Sequence, residues 1–454
     1  MNDRIEKDSM GEVRVPKGAL WGAQTQRSRQ NFTIGMEKMP LALIKGLALV
    51  KKSAAKANEC TGKLDQMISQ AIQHAADRII AGEVDDHFPL SLWQTGSGTQ
   101  TNMNVNEVIA HLAAKEDVIV HPNDHVNMSQ SSNDVFPTAM HVTGVQLIEQ
   151  QLFPVMREVI KTLETLEAKN ENIIKIGRTH LQDATPITFA QEISGWRSGM
   201  THGYRMLELT LTELKQLAIG GTAVGTGLNA SKEYINVFLQ YLNEATGNQF
   251  LEDPNKFHGL ASKDAIVFTS GALKAIAANA MKMANDIRWM ASGPRSGLGE
   301  ITIPENEPGS SIMPGKINPT QCEALTMIAI QVMGNDTTIG IGASQGNFEL
   351  NVYMPVMAYN LIQSIELLTD GLRSFNENCL KGIKAEQIKM QQYVEQSLML
   401  VTALNPHIGY DNGAKIAKKA FEEQTTLKEA AVASGLVKEE EYDRWVKPEQ
   451  MLGR

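Results

Sequence analysis

Four polar segments hold most of the side chains in this sequence that could do chemistry. They are Gly96–Asn104 (GSGTQTNMN), Ser129–Asp134 (SQSSND), Gly177–Pro186 (GRTHLQDATP) and Gly309–Pro319 (GSSIMPGKINP). Taken singly, each reads as a solvated turn that caps a helix, because Ser, Asn and Gly favour turns and caps. Together they offer hydroxyls, amides, one imidazole and one ammonium, with almost no acids. That inventory suits a small dicarboxylate. Hydroxyl and amide protons meet carboxylate oxygens, and a lysine supplies compact positive charge.

Other motifs carry less. Gly225–Ala230 (GTGLNA) fits a loose dinucleotide fingerprint, but no convincing strand precedes it, and the motif has meaning only in a βαβ unit. Gly309–Lys316 departs from a phosphate-binding loop in its glycine spacing, and Ile317 stands where a magnesium-binding hydroxyl belongs. Ser310 is not in a Gly-x-Ser-x-Gly elbow, which argues against a serine hydrolase. His121 and His125 have a metal-like spacing. Pro122 argues against one shared helix face and no third ligand is evident, so a structural or anion role is expected there. No metal and no cofactor are expected.

The segments lie far apart in sequence, so helix ends must bring them together, in one chain or across several. Apolar residues recur every three or four positions in Pro355–Phe375 (Met357, Leu361, Ile365, Leu368, Leu372) and in Ser262–Ser292 (Ile266, Leu273, Ile276, Ala280, Ala284, Ile287). Both are amphipathic helix patterns. A third helix is expected over Thr185–Ala218, with Thr185 as N-cap and Pro186 in the first turn. Such helices run to roughly 45 Å. Pro154 should kink or divide a helix over Thr138–Asn170. Strands are scarce, with Val13–Val15 and Ile301–Ile303 as short extended pieces. The pattern predicts a mainly α fold: an N-terminal domain over 1–130, a central long-helix bundle over 131–385 and a small helical C-terminal domain over 386–454, both flanking domains mostly helical.

The 454 residues are 42% hydrophobic and 20% charged, enough for a large core. The 22 methionines fit as gap-fillers between helices. Net charge is −9, from 42 Lys and Arg against 51 Asp and Glu, which makes nucleic acid a poor partner. A site can still gather positive charge locally. Three cysteines, Cys60, Cys322 and Cys379, are odd in number and widely spaced. They argue against a disulfide framework and, with no secretory pattern in Met1–Met10 and no membrane-length apolar run, predict a soluble cytoplasmic protein.

Gly309–Pro319 resembles the signature loop of the fumarase/aspartase superfamily, GSSxMPxKxNP, at every fixed position. The resemblance runs from Lys17–Thr25 (KGALWGAQT) to Asn405–Tyr410 (NPHIGY). Gly315, Thr320–Glu323 (TQCE) and Ser129–Asn133 (SQSSN) look like class II fumarases rather than aspartases. The resemblance implies a fumarase/aspartase-like fold and the reversible hydration of fumarate to (S)-malate, a step of the tricarboxylic acid cycle. It implies anti addition through an aci-carboxylate, without metal or cofactor. It also implies a homotetramer with each active site shared among three chains. An aspartate ammonia-lyase, or a silent structural relative of the crystallin kind, remains as an alternative.

By that resemblance Ser310 matches the catalytic base and His180 a histidine that works with a carboxylate, here Glu323. Ser97, Gly98, Thr99, Ser131, Ser132, Asn133, Thr179, Ser311, Lys316, Ile317 and Asn318 match substrate contacts, with Lys316 also counted as catalytic. His121, Pro122, Asn123 and Asp124 resemble a second anion site, although His125 and Met128 depart from the family pattern there. The chemistry is consistent with these assignments. Loss of a proton beside a carboxylate leaves a doubly charged intermediate that preorganised donors must hold. A serine base requires that nearby amides and an ammonium stabilise its alkoxide. His180 can relay a proton near neutral pH.

Overall fold

The computed structural model describes residues 3–114 and 118–453. About 63% of the chain is helical, which makes the fold mainly α. A hairpin of β1 (Asp3–Asp8) and β2 (Gly11–Pro16) opens the chain, followed by helices α1 (Ala23–Asn31), α2 (Leu41–Cys60), α3 (Gln66–Ile80) and α4 (Thr99–Ala114). The conspicuous Trp-Gly-Ala-Gln-Thr run at the α1 entry has a structural explanation. The buried Glu107 carboxylate accepts the amides of Gly22, Gln24 and Thr25 at 2.8, 2.8 and 3.2 Å, filling the role of an N-cap. A Cβ on Gly22 would stand 3.0 Å from that carboxylate.

Next come α5 (Ser132–Leu147), one π-helical turn over Ile148–Leu152 and α6 (Phe153–Lys169). The α-helical ladder therefore breaks just before Pro154, as its missing N–H requires. Strands β3 (Ile174–Thr179) and β4 (Gln182–Thr188) then form a hairpin that the sequence did not reveal. It corrects the expected helix start. Thr185 and Pro186 lie in β4, and α7 spans Phe189–Leu214. Its true cap is reciprocal: Gln191 N donates to Thr188 Oγ1 at 3.1 Å, and Thr188 N donates to Gln191 Oε1 at 2.8 Å.

Short strands β5 (Gln216–Leu217) and β6 (Leu251–Glu252) pair in parallel around α8 (Lys232–Thr246). After α9 (Lys256–Ala261) comes α10 (Asp264–Met290). Strand β7 (Ile301–Thr302) leads into the Gly309–Pro319 loop, and α11 (Thr320–Ala343) and α12 (Met354–Asn378) complete the long helices. Strand β8 (Lys384–Ala385) pairs with β7 and precedes α13 (Gln387–Gln396), and short helices follow to Trp445.

Two compact units emerge. The first holds Met1–Pro154, Gly203–Ala277 and Ile328–Thr369; the second holds Val155–His202, Ala278–Met327 and Asp370–Arg454. In the first, α2 packs against α3, α5 and α8 through Leu43, Ile44, Leu47 and Val50. Gly203 lets α7 approach Ile276 of α10, where a Cβ would come within 2.7 Å of that side chain. In the second, Ile176, Leu404, Ile416, Leu427 and Ala431 form one apolar core beneath the C-terminal helices. Helix α11 is apolar on two faces. Cys322, Leu325, Ala329, Val332 and Ile339 are buried, whereas Met327, Ile330 and Ile341 remain 64, 62 and 62% exposed. No helix among the described residues is long and apolar enough to cross a membrane.

Candidate active site

The first unit carries the Gly96–Asn104 and Ser129–Asp134 segments. Gly98 precedes α4 with φ +71, and a Cβ there would strike the Phe136 ring at 2.2 Å, so only glycine fits. Ser97 Oγ and Thr99 Oγ1 share one hydrogen bond of 2.8 Å. One hydroxyl donates in that pair, and the other keeps its proton for a ligand. Ser131 is the N-cap of α5. Its Oγ accepts from Asn133 N at 3.2 Å, and Asp134 Oδ1 accepts from Ser131 N at 2.9 Å. Ser132 Oγ accepts from Asn102 Nδ2 at 3.0 Å, and Asn133 Nδ2 donates to Ala223 O at 2.8 Å. Ser131 and Ser132 thus use their oxygens as acceptors and keep their hydroxyl protons free at the first turn of a helix, whose amides and dipole favour anions.

Beneath this turn lies a buried polar layer that sequence reasoning missed. Lys51 Nζ donates to Asn127 Oδ1 and Gln130 Oε1, both at 2.9 Å. Asp134 Oδ2 accepts the amides of Gly220 and Thr222 at 2.9 Å each. Burial pushes Lys51 down to about 7, opposed by the Asp134 charge. Burial likewise raises the Asp134 carboxyl, opposed by its three amides and by Lys51. A signal existed: Lys51 falls seven residues after Ile44 and four after Leu47, on the apolar face of α2.

The second unit carries the remaining residues. Thr179 and Gln182 close the β3–β4 hairpin, with His180 and Leu181 as its two-residue loop at φ 57° and 59°. Two positive φ angles define a type I′ turn, normally an Asn-Gly site, so an exposed imidazole is presented here at a conformational cost. The hairpin is braced from below. Arg178 Nη1 lies 2.9 Å and Lys175 Nζ 3.5 Å from Oε2 of the fully buried Glu300. Glu300 directly precedes β7, the strand leading toward the Ser310 loop.

That loop closes on itself. Gly309 N donates to Lys316 O at 2.9 Å, and Asn318 Nδ2 donates to Gly309 O at 2.6 Å. A Cβ on Gly309 would stand 2.2 Å from Lys316 O, which requires glycine. Ser310 Oγ accepts two amides, from Ile312 at 3.2 Å and Met313 at 3.1 Å. Ser311, Lys316 and Ile317 are exposed. Lys316, Ile317 and Glu323 line one wall of a cavity of about 1110 Å³, to which Arg288 and Lys389 add positive charge; Ser310 and His180 do not line it. Among the described residues no hydrogen bond or ion pair joins His180 to Glu323.

The other sequence features fall outside this constellation. His121 caps the π-helical turn Pro122–Val126, its Nδ1 accepting from Asn123 N at 3.3 Å and Asp124 N at 3.0 Å. With both amides on Nδ1, that nitrogen is the unprotonated one, and its 3.2 Å approach to Asp124 is not an ion pair. His125 Nδ1 accepts from His121 N at 3.0 Å. Among the described residues no group of three His, Cys, Asp or Glu side chains could hold a metal. Cys322 and Cys379, remote in sequence, meet with Sγ atoms 4.0 Å apart and remain thiols.

Comparison with known proteins identifies the family. A family described as lyase matches residues 11–334, and one described as fumarase C C-terminus matches 400–453. Fumarate hydratase class II of Bacillus cereus is 58% identical over 458 residues, covering 100% of this chain and 99% of the relative. The Campylobacter jejuni protein of the same name is 57% identical, with the same coverage. The crystal structure of class II fumarase from Schistosoma mansoni matches with a TM-score of 0.97 at 42% identity, covering 99% of both chains. A Brucella melitensis structure titled fumarate lyase:delta crystallin, bound to cobalt, matches at 0.94 and 37% identity, covering 100% of both chains. The chain belongs to the class II fumarate hydratase family of lyases.

Proposed function

We propose that this chain is a hydro-lyase that interconverts fumarate and (S)-malate, with Ser310 as the base. The carrying observation is the Ser310 setting: its Oγ accepts the Ile312 and Met313 amides, which favour the alkoxide over the neutral hydroxyl. In the malate-to-fumarate direction Ser310 removes the proton beside one carboxylate. Lys316 and the loop amides hold the resulting aci-carboxylate, and hydroxide leaves as water after protonation through His180. Hydroxyls of Ser97 or Thr99, Ser131 and Ser132 bind carboxylate oxygens, joined by Asn133, Thr179 and Ser311. Asn318 gives one amide proton to Gly309 O in the closed loop, which helps hold Ser310 in place, and keeps the other for a ligand.

The site is completed by other copies of the chain. The exposed stripe on α11, Glu323, Met327, Ile330, Gly334, Thr337 and Ile341, advances by four and three residues, the spacing of a helix-packing seam. We assign it to the core of a homotetramer in which each site draws on three chains, and in which His180 of one chain meets Glu323 of another. Ile330→Glu should then dissociate the assembly and abolish turnover together; a fully active monomer by light scattering would refute it. Free thiols at Cys60, Cys322 and Cys379 suit a cytoplasmic setting, and the three-domain division at residues 130 and 385 remains our reading of the chain.

Names of relatives favour hydratase over ammonia-lyase. An ultraviolet assay of fumarate separates the activities. Turnover of malate without ammonia is expected, whereas ammonia release from aspartate without malate turnover would overturn the assignment.

A further inference from the structure

We propose that Lys51 is a positioning residue for the reaction: its buried ammonium, gripped by Asn127 and Gln130, fixes the Ser131–Asn133 turn in its substrate-binding shape. The inference rests on reading that turn as a substrate contact.

Lys51 is fully buried on the apolar face of α2. An apolar side chain would satisfy that face without desolvating a charge. The ammonium instead supports the turn along two routes. One runs through Gln130, the residue before Ser131, whose Nε2 also ties down Val126 O at 3.1 Å and Met128 O at 2.9 Å. The other runs through Asn127 Oδ1, which accepts from Lys51 at 2.9 Å and from Asn102 Nδ2 at 3.2 Å. Asn102 Nδ2 continues to Ser132 Oγ at 3.0 Å. The cation is thus two side chains from one substrate hydroxyl and one residue from another.

This layer is not arranged for stability alone. Ser129 is held at φ 62° without being glycine. Asn102 Oδ1 and Asn106 Oδ1 are buried without a hydrogen-bond partner. Burial pushes Lys51 down to about 7. Strain, orphaned oxygens and a desolvated cation in one place mark a geometry kept for what it presents, here the uncommitted hydroxyl protons of Ser131 and Ser132.

The test is steady-state kinetics and thermal unfolding of the full-length enzyme carrying Lys51→Met, which keeps length and loses charge. A misplaced turn predicts KM for malate and fumarate raised about tenfold with kcat within about threefold, alongside a lowered thermal midpoint because Gln130 Oε1 loses its donor. A folded variant with parental KM overturns the proposal. If Lys51→Met does not fold, Lys51→Met with Asn127→Leu removes the partner as well. Raised KM in that double variant supports the proposal; parental KM, or failure to fold again, makes Lys51 a structural residue and overturns it. Ser131→Ala and Ser132→Ala separate the two readings. If they raise KM while the Lys51 variant does not, the Lys51 role alone fails. If they leave KM unchanged, the reading of the turn as a substrate contact fails.

Discussion

The Ser129–Asp134 turn and the Gly309–Pro319 loop are both short, polar and rich in serine, yet they are held in opposite ways. The turn is bolted from beneath. Lys51 of α2 and Asn102 of α4, both buried, reach up into it, and its own buried Asp134 ties it to the amides of Gly220 and Thr222. Among the described residues the loop's hydrogen bonds run within itself, through Gly309, Ser310, Met313, Lys316 and Asn318, and into the first turn of α11, while Ile312 stands 82% exposed. A rigid turn binds substrate without an ordering cost at the moment of binding. A self-bonded loop can move as one piece on hinges near its glycines and keep Ser310 and its amides in register throughout. Under the proposed function, this contrast gives ground-state binding to the turn and the chemical step to the loop.

The sharpest way to break that assignment is Ser310→Ala. Removal of a base acting in the transition state should lower kcat by about 10³-fold or more and leave KM within about threefold. A kcat near the parental value would take the base role from Ser310 and pass it to His180. Lys316→Ala should differ in kind, weakening KM and kcat together, because an ammonium grips the carboxylate in both states.

Stability should show the same contrast. Asp134→Ala strands the buried amides of Gly220 and Thr222 and the partly buried amide of Ser131. It should cost about 3–5 kcal/mol, read as a large drop in the urea midpoint. Ser311→Ala, exposed in the loop, should change stability by about 0.5 kcal/mol or less. Equal losses at the two positions would mean that the loop is built into the core after all.

The same contrast explains what the sequence could disclose. Long helices were legible because their apolar residues repeat with the helical period, as in Ile266–Ile287 and Met357–Leu372. The break before Pro154 followed from one missing N–H. The β3–β4 hairpin was hidden because its turn residues are His180 and Leu181, whose preferred backbone gives no hint of φ > 0. That error displaced the α7 start from Phe189 to Thr185, although Thr188 and Gln191 spell a capping pair. The candidate site residues, Ser310 and Lys316 among them, came from the polar segments and from the signature-loop resemblance. The supports were not, because Lys51, Glu300 and Asp134 gain their meaning from partners far away in sequence, such as Arg178, 122 residues from Glu300.

The smallest effect concerns acid and falls on α5, the helix that carries the turn. His141 Nδ1 donates to Gln216 O at 2.9 Å, and burial, aided by the Lys263 charge, lowers its pKa to about 4. In the unfolded chain the imidazole titrates near its ordinary value of about 6.5. Between these values the unfolded state holds the extra proton, so stability rises with pH across the window and is lost as pH falls from about 6.5 toward 4. The full shift corresponds to about 3 kcal/mol, reduced to about 2 because the residue is partly exposed. The raised carboxyls of Asp134 and Glu107 act in the opposite sense, so the informative quantity is a difference between proteins. His141→Gln can keep a donor toward Gln216 O without titrating. Its urea midpoint should fall less than the parent's between pH 7 and pH 5, while the exposed Ser310 loop has no part in the change. Parallel curves for parent and variant would show that the acid response lies outside α5, and that the turn's helix is no more pH-sensitive than the loop.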